Sequence, residues 1–215
     1  MVAPPTIRPR FRGTLHAIAF GASLIVGAVF LAYSPTKHLA AAAVFAASAT
    51  AMLGISALYH RVTWSPSARL WMRRADHAGI FLLIAGTYTP VALISLSGAW
   101  RTTILLVVWI GAGIATISKL CWVGAPKWLA AVIGIGLGWA GVAAMPQLAA
   151  HEGITPVVLL GAGGVAYTLG AIVYAIKRPN PSPTVFGYHE VFHALTVVAL
   201  GCQYVAVAFF VVRVA

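Results

Sequence analysis

Seven apolar runs, each long enough to cross a lipid bilayer, occupy most of this chain of 215 residues. The hydrocarbon core of a bilayer is about 30 Å thick, and a helix needs about 20 residues to cross it. Because backbone N–H and C=O groups find no water there, a helix satisfies them within one segment. The predicted helices span residues 15–33, 39–59, 79–96, 102–120, 128–145, 156–176 and 191–212. The pattern therefore predicts an all-α membrane protein, a bundle of seven transmembrane helices.

The segments between the runs are short and turn-like, such as SPTK after the first, PQLAAHEGIT (residues 146–155) after the fifth and KRPNPSPT after the sixth. With 61% hydrophobic residues, 8% charged residues and a mean hydropathy of +0.94, the chain has too little polar sequence for a separate soluble domain. We expect a short basic N-terminal segment over residues 1–14 and a single transmembrane domain over residues 15–213.

The net charge of +11 reflects membrane topology rather than nucleic-acid binding, which would need a basic surface on a folded soluble module. Eleven of the fourteen Lys and Arg residues fall on the side of the N-terminus. They are Arg8, Arg10, Arg12, Arg61, Arg69, Arg73, Arg74, Lys119, Lys127, Lys177 and Arg178. The opposite side holds Lys37, Arg101 and Arg213. Basic residues concentrate in short cytoplasmic loops, so we predict a cytoplasmic N-terminus and an external C-terminus.

The first apolar run is interpreted as a permanent helix and not as a cleaved signal peptide. It is long enough to span the bilayer, and no small-residue cleavage site stands clearly after it. The lipid bilayer is therefore the expected partner of the whole chain.

This topology places several polar residues at one level of the membrane, on the cytoplasmic side. His60 ends the predicted second helix, Asp76 opens the third, and His189 and His193 open the seventh. Ionisable side chains within a membrane are costly and commonly mark a functional site. Ser56 lies one helical turn deeper than His60, on the same face.

The spacing of His189 and His193 is typical of metal ligands on a helix. Four residues separate them by about 40° around the helix and about 6 Å along it, so their imidazoles can converge on one ion. His60 would supply a third nitrogen and leave a fourth position open, which is typical of a catalytic zinc. Asp76 fits either as a fourth ligand or as the partner of a bound water. The remaining histidines are interpreted as lipid-interface or loop residues: His16, His38, His77 and His151.

The stretch HEVFH (residues 189–193) also matches the HExxH motif of zincin proteases, in which Glu190 would be the general base. Glu190 points about 100° away from His189 around the helix. A cap on the positive end of the seventh helix, or an ion pair with a basic loop residue, is the simpler interpretation of this glutamate.

Two further alternatives come from the same residues. A nucleophilic triad of Ser56, His60 and Asp76 would leave the two histidines of the seventh helix without a role. A non-enzymatic receptor, channel or lysin would use zinc as a structural ion. A retinal protein is excluded, because the predicted seventh helix contains no lysine to form a Schiff base.

Four stretches resemble the hemolysin III family of bacterial membrane proteins: SALYHR (56–61), RADHAGIFLLIAGTYTP (74–90), GGVAYTLGAIVYAIKRP (163–179) and HEVFH. That family belongs with the progestin and adipoQ receptors and, more distantly, with the alkaline ceramidases. The resemblance extends from the first predicted helix to the seventh. It combines S-x3-H, an aspartate at the start of the third helix and H-x3-H at the start of the seventh, a combination that is highly specific.

The resemblance implies a zinc ion near the cytoplasmic face of a bacterial cell (inner) membrane, held by His60, His189 and His193. It implies that Asp76 contacts a zinc-bound water and that Ser56 stands close to the metal. The ceramidases point to zinc-dependent hydrolysis of a lipid amide, and a lipid is the expected substrate. The name hemolysin points instead to membrane lysis, so a non-enzymatic receptor, channel or hemolysin is the alternative.

Overall fold

Seven helical spans of membrane length lie within the described part of the chain, as the apolar runs predict. The computed structural model describes residues 8–122 and 124–214. Its helices are α1 (Thr14–Ala32), α2 (Leu39–Arg61), α3 (Pro66–Pro90), α4 (Gly98–Cys121), α5 (Lys127–Gly138), α6 (Met145–Glu152), α7 (Ile154–Ile176) and α8 (Tyr188–Val205). α3 continues as a π-helical segment to Ser95, and α8 does so to Val212. The predicted all-α, seven-helix fold class is confirmed.

The N-terminal basic segment predicted over residues 1–14 falls partly within the described residues. Residues 1–7 lie outside the described part of the chain, and α1 begins at Thr14. The described portion of the segment contacts the loop before α8 through two backbone hydrogen bonds. The Arg10 N–H donates to the Thr184 carbonyl at 2.9 Å, and the Phe11 N–H donates to the Val185 carbonyl at 3.1 Å. The segment is therefore packed onto the end of the bundle.

α3 begins at Pro66, well before the predicted start at residue 79. The Ser65 hydroxyl accepts from the Ala68 N–H at 3.4 Å and caps the helix. Proline suits the first turn because N–H groups there have no carbonyl partner within the helix, so the N–H that proline lacks is not needed. The first turns of α3 are polar enough to fall outside an apolar run, yet they are helical. The prediction that Asp76 opens the third helix is wrong, because Asp76 lies well inside α3.

The fifth span is interrupted: α5 ends at Gly138, a short 3-10 turn follows, and α6 runs to Glu152. The Tyr88 hydroxyl of α3 donates to the Gly138 carbonyl at 2.6 Å and accepts from the Gly141 N–H at 3.1 Å. Backbone groups at the break therefore keep partners inside the membrane, as they must. The predicted turn over residues 146–155 is wrong over its first part, which is helical.

α2 and α3 lie at the centre of the bundle. Small residues cover much of α2, among them Ala42, Ala46 and Ala49, which are at most 5% exposed. Helices in lipid associate largely through close van der Waals packing, and small side chains permit that approach. The first, fifth and sixth spans instead have few buried residues, 17%, 11% and 17% of their most apolar windows. The core therefore lies around α2, α3 and α8.

Replacing Gly86 of α3 by alanine is expected to destabilise the bundle. The added Cβ would lie 1.9 Å from Ser48 Oγ and 2.6 Å from Ser48 Cβ on α2. Overpacking of this kind costs about 1–3 kcal/mol, which should lower the midpoint of thermal unfolding in detergent micelles. Gly113→Ala on α4 is the matched control, because nothing lies within 4 Å of its added Cβ. Equal midpoints for the two variants would contradict the close contact of α2 and α3.

Candidate metal centre

Three histidines from two helices meet at one end of the bundle, here called the histidine end. His60 comes from the last turn of α2, and His189 and His193 come from the first turns of α8. One ring nitrogen from each histidine lies within 4.8 Å of a ring nitrogen from each of the other two. The Nε2 atoms of His60 and His189 are 3.2 Å apart. The three side chains are at most 8% exposed. The structure thus brings together the three histidines that the sequence predicted as metal ligands.

Glu190 fixes the start of α8 and thereby the direction of the two histidines beside it. Its Oε2 accepts from the Gly187 N–H at 2.9 Å, and its Oε1 accepts from the Arg12 guanidinium. The side chain is 1% exposed. The interpretation of Glu190 as a helix cap and a partner for a basic residue is confirmed on both counts. Both carboxylate oxygens are occupied, which argues against Glu190 as the general base of a protease.

Asp76 of α3 completes the polar cluster. Its Oδ2 lies 3.9 Å from His60 Nε2, and its side chain is 13% exposed. The same Nε2 faces His189. In a nucleophilic triad the histidine uses one ring nitrogen for the serine and the other for the aspartate. The approach of both Asp76 and His189 to one nitrogen of His60 therefore disfavours the triad and favours a shared site for an ion.

The donor set suits zinc. Neutral imidazole nitrogens are common zinc ligands, and Zn–N bonds of about 2.0–2.1 Å in a tetrahedral site place two ligand nitrogens about 3.3 Å apart. The contact between His60 and His189 has nearly that length, at 3.2 Å. The same two nitrogens could share a hydrogen bond when no ion is bound. The residues present therefore fit a metal ion held by three imidazoles, with Asp76 beside it.

A fourth histidine, His16 of α1, belongs to this cluster although the sequence interpretation placed it at the lipid interface or in a loop. That interpretation is wrong: His16 is 2% exposed, and its ring stacks on His193 with centroids 3.7 Å apart and planes parallel. Neither ring nitrogen has a hydrogen-bond partner among the described residues. His16 lies in the first turn of α1, at the level where α2 ends, so the depth argument that found His60 could have found it too.

The start of α1 is pressed against the same site. Gly13 precedes the helix with a φ of +77°, and a Cβ at this position would lie 2.5 Å from His60 Cβ. Only glycine adopts this conformation readily and leaves room for His60. The interpretation as a lipid-interface or loop residue is also wrong for His77, which lies inside α3 and lines the interior cavity described next. His38 and His151 bond to carbonyls at the opposite end of the bundle.

A cavity of about 350 Å³ opens from the histidine end into the bundle. His189, His193, Asp76 and Ser56 line it, and its lining continues along α3 as far as Val91. At 1.5 Å per residue the lining of α3 from Asp76 onwards is about 20 Å long. Most other lining residues are apolar and come from α3, α5 and α7. The structure therefore places both predicted catalytic residues, Asp76 and Ser56, in one long apolar cavity with two of the three candidate ligands.

Seven membrane-spanning helices with a buried histidine cluster at one end define a multi-pass membrane protein with a candidate metal centre. A family model described as Haemolysin-III related matches residues 6–204. The chain belongs to this family, which is part of the progestin and adipoQ receptor group. The family assignment made from the sequence motifs is therefore confirmed.

Relatives in Bacillus are similar along most of their length. The Hemolysin-3 homolog of Bacillus subtilis (strain 168) is 27% identical over 182 residues, which cover 85% of this chain and 82% of the relative. Hemolysin-3 of Bacillus cereus is 31% identical over 166 residues, which cover 74% of each chain. The similarity to both relatives thus extends over most of this chain.

The purified protein is expected to contain about one zinc ion per chain, measured by elemental analysis after dialysis. His60→Ala, His189→Ala and His193→Ala should each lose it, because two imidazoles bind zinc much more weakly than three. His151→Ala is the matched control, since His151 is exposed and lies at the opposite end. Wild-type protein that takes up no zinc, or full occupancy in all three variants, would contradict the metal centre.

Substitutions of His16 should separate a supporting role from ligation. His16→Phe keeps a ring against His193 and is expected to retain zinc. His16→Ala removes the stacked ring and should weaken zinc binding about tenfold or more, because the residues that support a metal ligand contribute that much to affinity. Competition with a chelator would measure the affinities. Loss of zinc from His16→Phe as complete as from His193→Ala would instead make His16 a ligand.

Proposed function

We propose that this protein is a zinc-dependent hydrolase of lipid amides in a bacterial cell (inner) membrane. The observation that carries the proposal is the opening of the histidine cluster into a long apolar cavity that also contains Asp76 and Ser56. A structural zinc needs no such cavity, whereas a hydrolase acting on a lipid needs a space for the chain next to its ion. The relatives in Bacillus and the excess of basic residues at the histidine end support a bacterial membrane and a cytoplasmic site.

The chemistry that a bound zinc ion would supply is a more acidic water and polarisation of a carbonyl. The chain supplies the remaining requirements. His60, His189 and His193 would hold the ion, and their burial would limit access of bulk water to it. Glu190 and Arg12 keep α8 in register with α1, so the two α8 histidines are held in a fixed direction.

Asp76 is the candidate general base and acid. Its carboxylate lies beside His60, at 3.9 Å, on the cavity side of the cluster. It would accept a proton from the attacking water and return it to the amide nitrogen as the C–N bond breaks. The Ser56 hydroxyl, which lines the same cavity, would donate a hydrogen bond to the oxygen of the acyl group as charge develops on it.

The apolar cavity would receive the acyl chain. The amide of a chain that extends from the histidine end towards Val91 would lie beside Asp76 and the histidines, with its tail among apolar side chains of α3, α5 and α7. Each buried methylene contributes about 0.8 kcal/mol, so chain length should govern affinity. A substrate with a long acyl chain is therefore proposed.

A second candidate is a non-enzymatic hemolysin or receptor in which zinc only stabilises the fold. The observation that favours it is the name Hemolysin-3 carried by the relative in Bacillus cereus. In that case zinc would bind without turnover of any lipid amide, and removing it would lower thermal stability alone.

Asp76→Asn is expected to keep zinc and lose hydrolysis. Asparagine preserves the size of the side chain but cannot take up a proton, and general acid–base groups contribute about 10²–10⁴-fold in rate. Zinc content and release of fatty acid from N-palmitoyl amides would be measured on the same preparation. Glu152→Gln, the same chemical change at the opposite end, is the control. Full activity in Asp76→Asn would remove Asp76 from the mechanism, and zinc without turnover in the wild type would favour the non-enzymatic candidate.

A further inference from the structure

Three cationic side chains line the cavity at the histidine end: Arg73 from α3, Lys119 from α4 and Lys127 from the start of α5. They come from three different helices. Lys119 is only 4% exposed. The sequence interpretation counted all three as cytoplasmic charges that set the topology, but such charges act from loops and need not be buried.

Few acidic side chains are available as counter-ions for these three cations. The chain contains three acidic residues in total. Glu190 pairs with Arg12, Glu152 pairs with Arg213 at the opposite end, and Asp76 faces His60. Within residues 8–122 and 124–214, none of the three cavity cations takes part in an ion pair. An uncompensated positive charge in a membrane cavity is costly unless a ligand neutralises it.

Lys127 connects this charge to the metal centre. Its Nζ donates to the Tyr188 hydroxyl at 3.0 Å and lies 4.4 Å from the centroid of the Tyr174 ring. The Tyr174 ring in turn lies 5.7 Å from that of His189. Arg73 lies one helical turn before Asp76 on α3, and so on a neighbouring part of the same helix face. Lys127 and Arg73 therefore border the part of the cavity where an amide would be cleaved, and Lys119 lines the same cavity.

We propose that the cavity recognises N-acyl amides whose amine portion carries an anionic group, a carboxylate or a phosphate. The acyl chain would lie in the apolar part of the cavity, and the anion would be bound by Arg73, Lys119 and Lys127. Guanidinium and ammonium groups bind both anions through charge-assisted hydrogen bonds, and arginine can do so with two at once. This inference rests on the proposed hydrolase, since it specifies the substrate class of the same site.

The reaction is an ordinary hydrolysis. Water adds its oxygen to the acyl carbon, the C–N bond breaks, and the amide nitrogen takes a proton. The products are a fatty acid and an amine that keeps its carboxylate or phosphate. A neutral amide of the same chain length would lack the group that these cations bind, and should be a poorer ligand and substrate.

Binding of three amides with one acyl chain tests the proposal: N-palmitoylglycine, N-palmitoyl-O-phosphoethanolamine and neutral N-palmitoylethanolamine. Dissociation constants would be measured on the zinc-loaded Asp76→Asn variant in detergent, and turnover on the wild type. At least one anionic amide should bind about tenfold or more tightly than the neutral one, an advantage of about 1.4 kcal/mol. The two anionic arms identify whether carboxylate or phosphate is preferred.

Lys119→Met should bring the anionic and neutral amides towards equal affinity, because it removes the buried charge and keeps an apolar stem. Lys119→Arg keeps the charge and should keep the preference. Lys177→Met is the matched control, since Lys177 is exposed beyond the end of α7. If Lys119→Met does not fold, Arg73→Gln tests the same cluster from another helix.

The outcomes separate this inference from the proposed function. Equal binding of all three amides by protein that hydrolyses them would overturn the anion site and leave the hydrolase. Preferential binding of an anionic amide that is not cleaved would support the anion site and count against the hydrolase. An unchanged preference in both Lys119→Met and Arg73→Gln would show that the anion is bound elsewhere.

Discussion

Satisfaction of backbone hydrogen bonds inside each helix is the constraint on which the rest of this structure depends. Only near the ends of a helix in lipid can polar groups lack partners within the helix, because water is close there. Polar side chains are therefore best tolerated at the few membrane depths where helices end. In this protein the last turn of α2 and the first turns of α1 and α8 meet at one such level. The histidine cluster is therefore built where the membrane makes polar chemistry least costly.

The glutamate of HEVFH shows how a familiar motif can serve structure. Glu190 is more buried than either histidine beside it, at 1% exposed, and its carboxylate joins the backbone of Gly187 to the guanidinium of Arg12. An ion pair buried this deeply is costly unless its remaining hydrogen bonds are made, and here the helix cap makes one of them. The pair ties the described N-terminal segment to α8, so the chain's first basic residues contribute to the geometry of the site.

Hydropathy and topology predicted the seven spans and the meeting of His60, His189 and His193, because lipid allows few structures and topology assigns a depth to each helix end. The start of α3 was missed because its first turns are polar, and hydropathy detects the part of a helix that lies in lipid. His16 was missed because the membrane depth of helix ends was compared for α2 and α8 but not for the start of α1. The burial of Lys119 could not be predicted, since depth gives no information on which helices are neighbours.

The fifth span has one property that reaches beyond the fold. α5 contributes to the wall of the cavity, yet none of its own residues between Lys127 and Gly138 is buried. Its glycines at 134, 136 and 138 have nothing within 4 Å of an added Cβ. Displacing α5 would break fewer packing contacts than displacing α2 or α3. The wall formed by α5 is thus less costly to displace than the wall formed by α3, so a lipid entering the cavity sideways from the bilayer would meet the weaker barrier there.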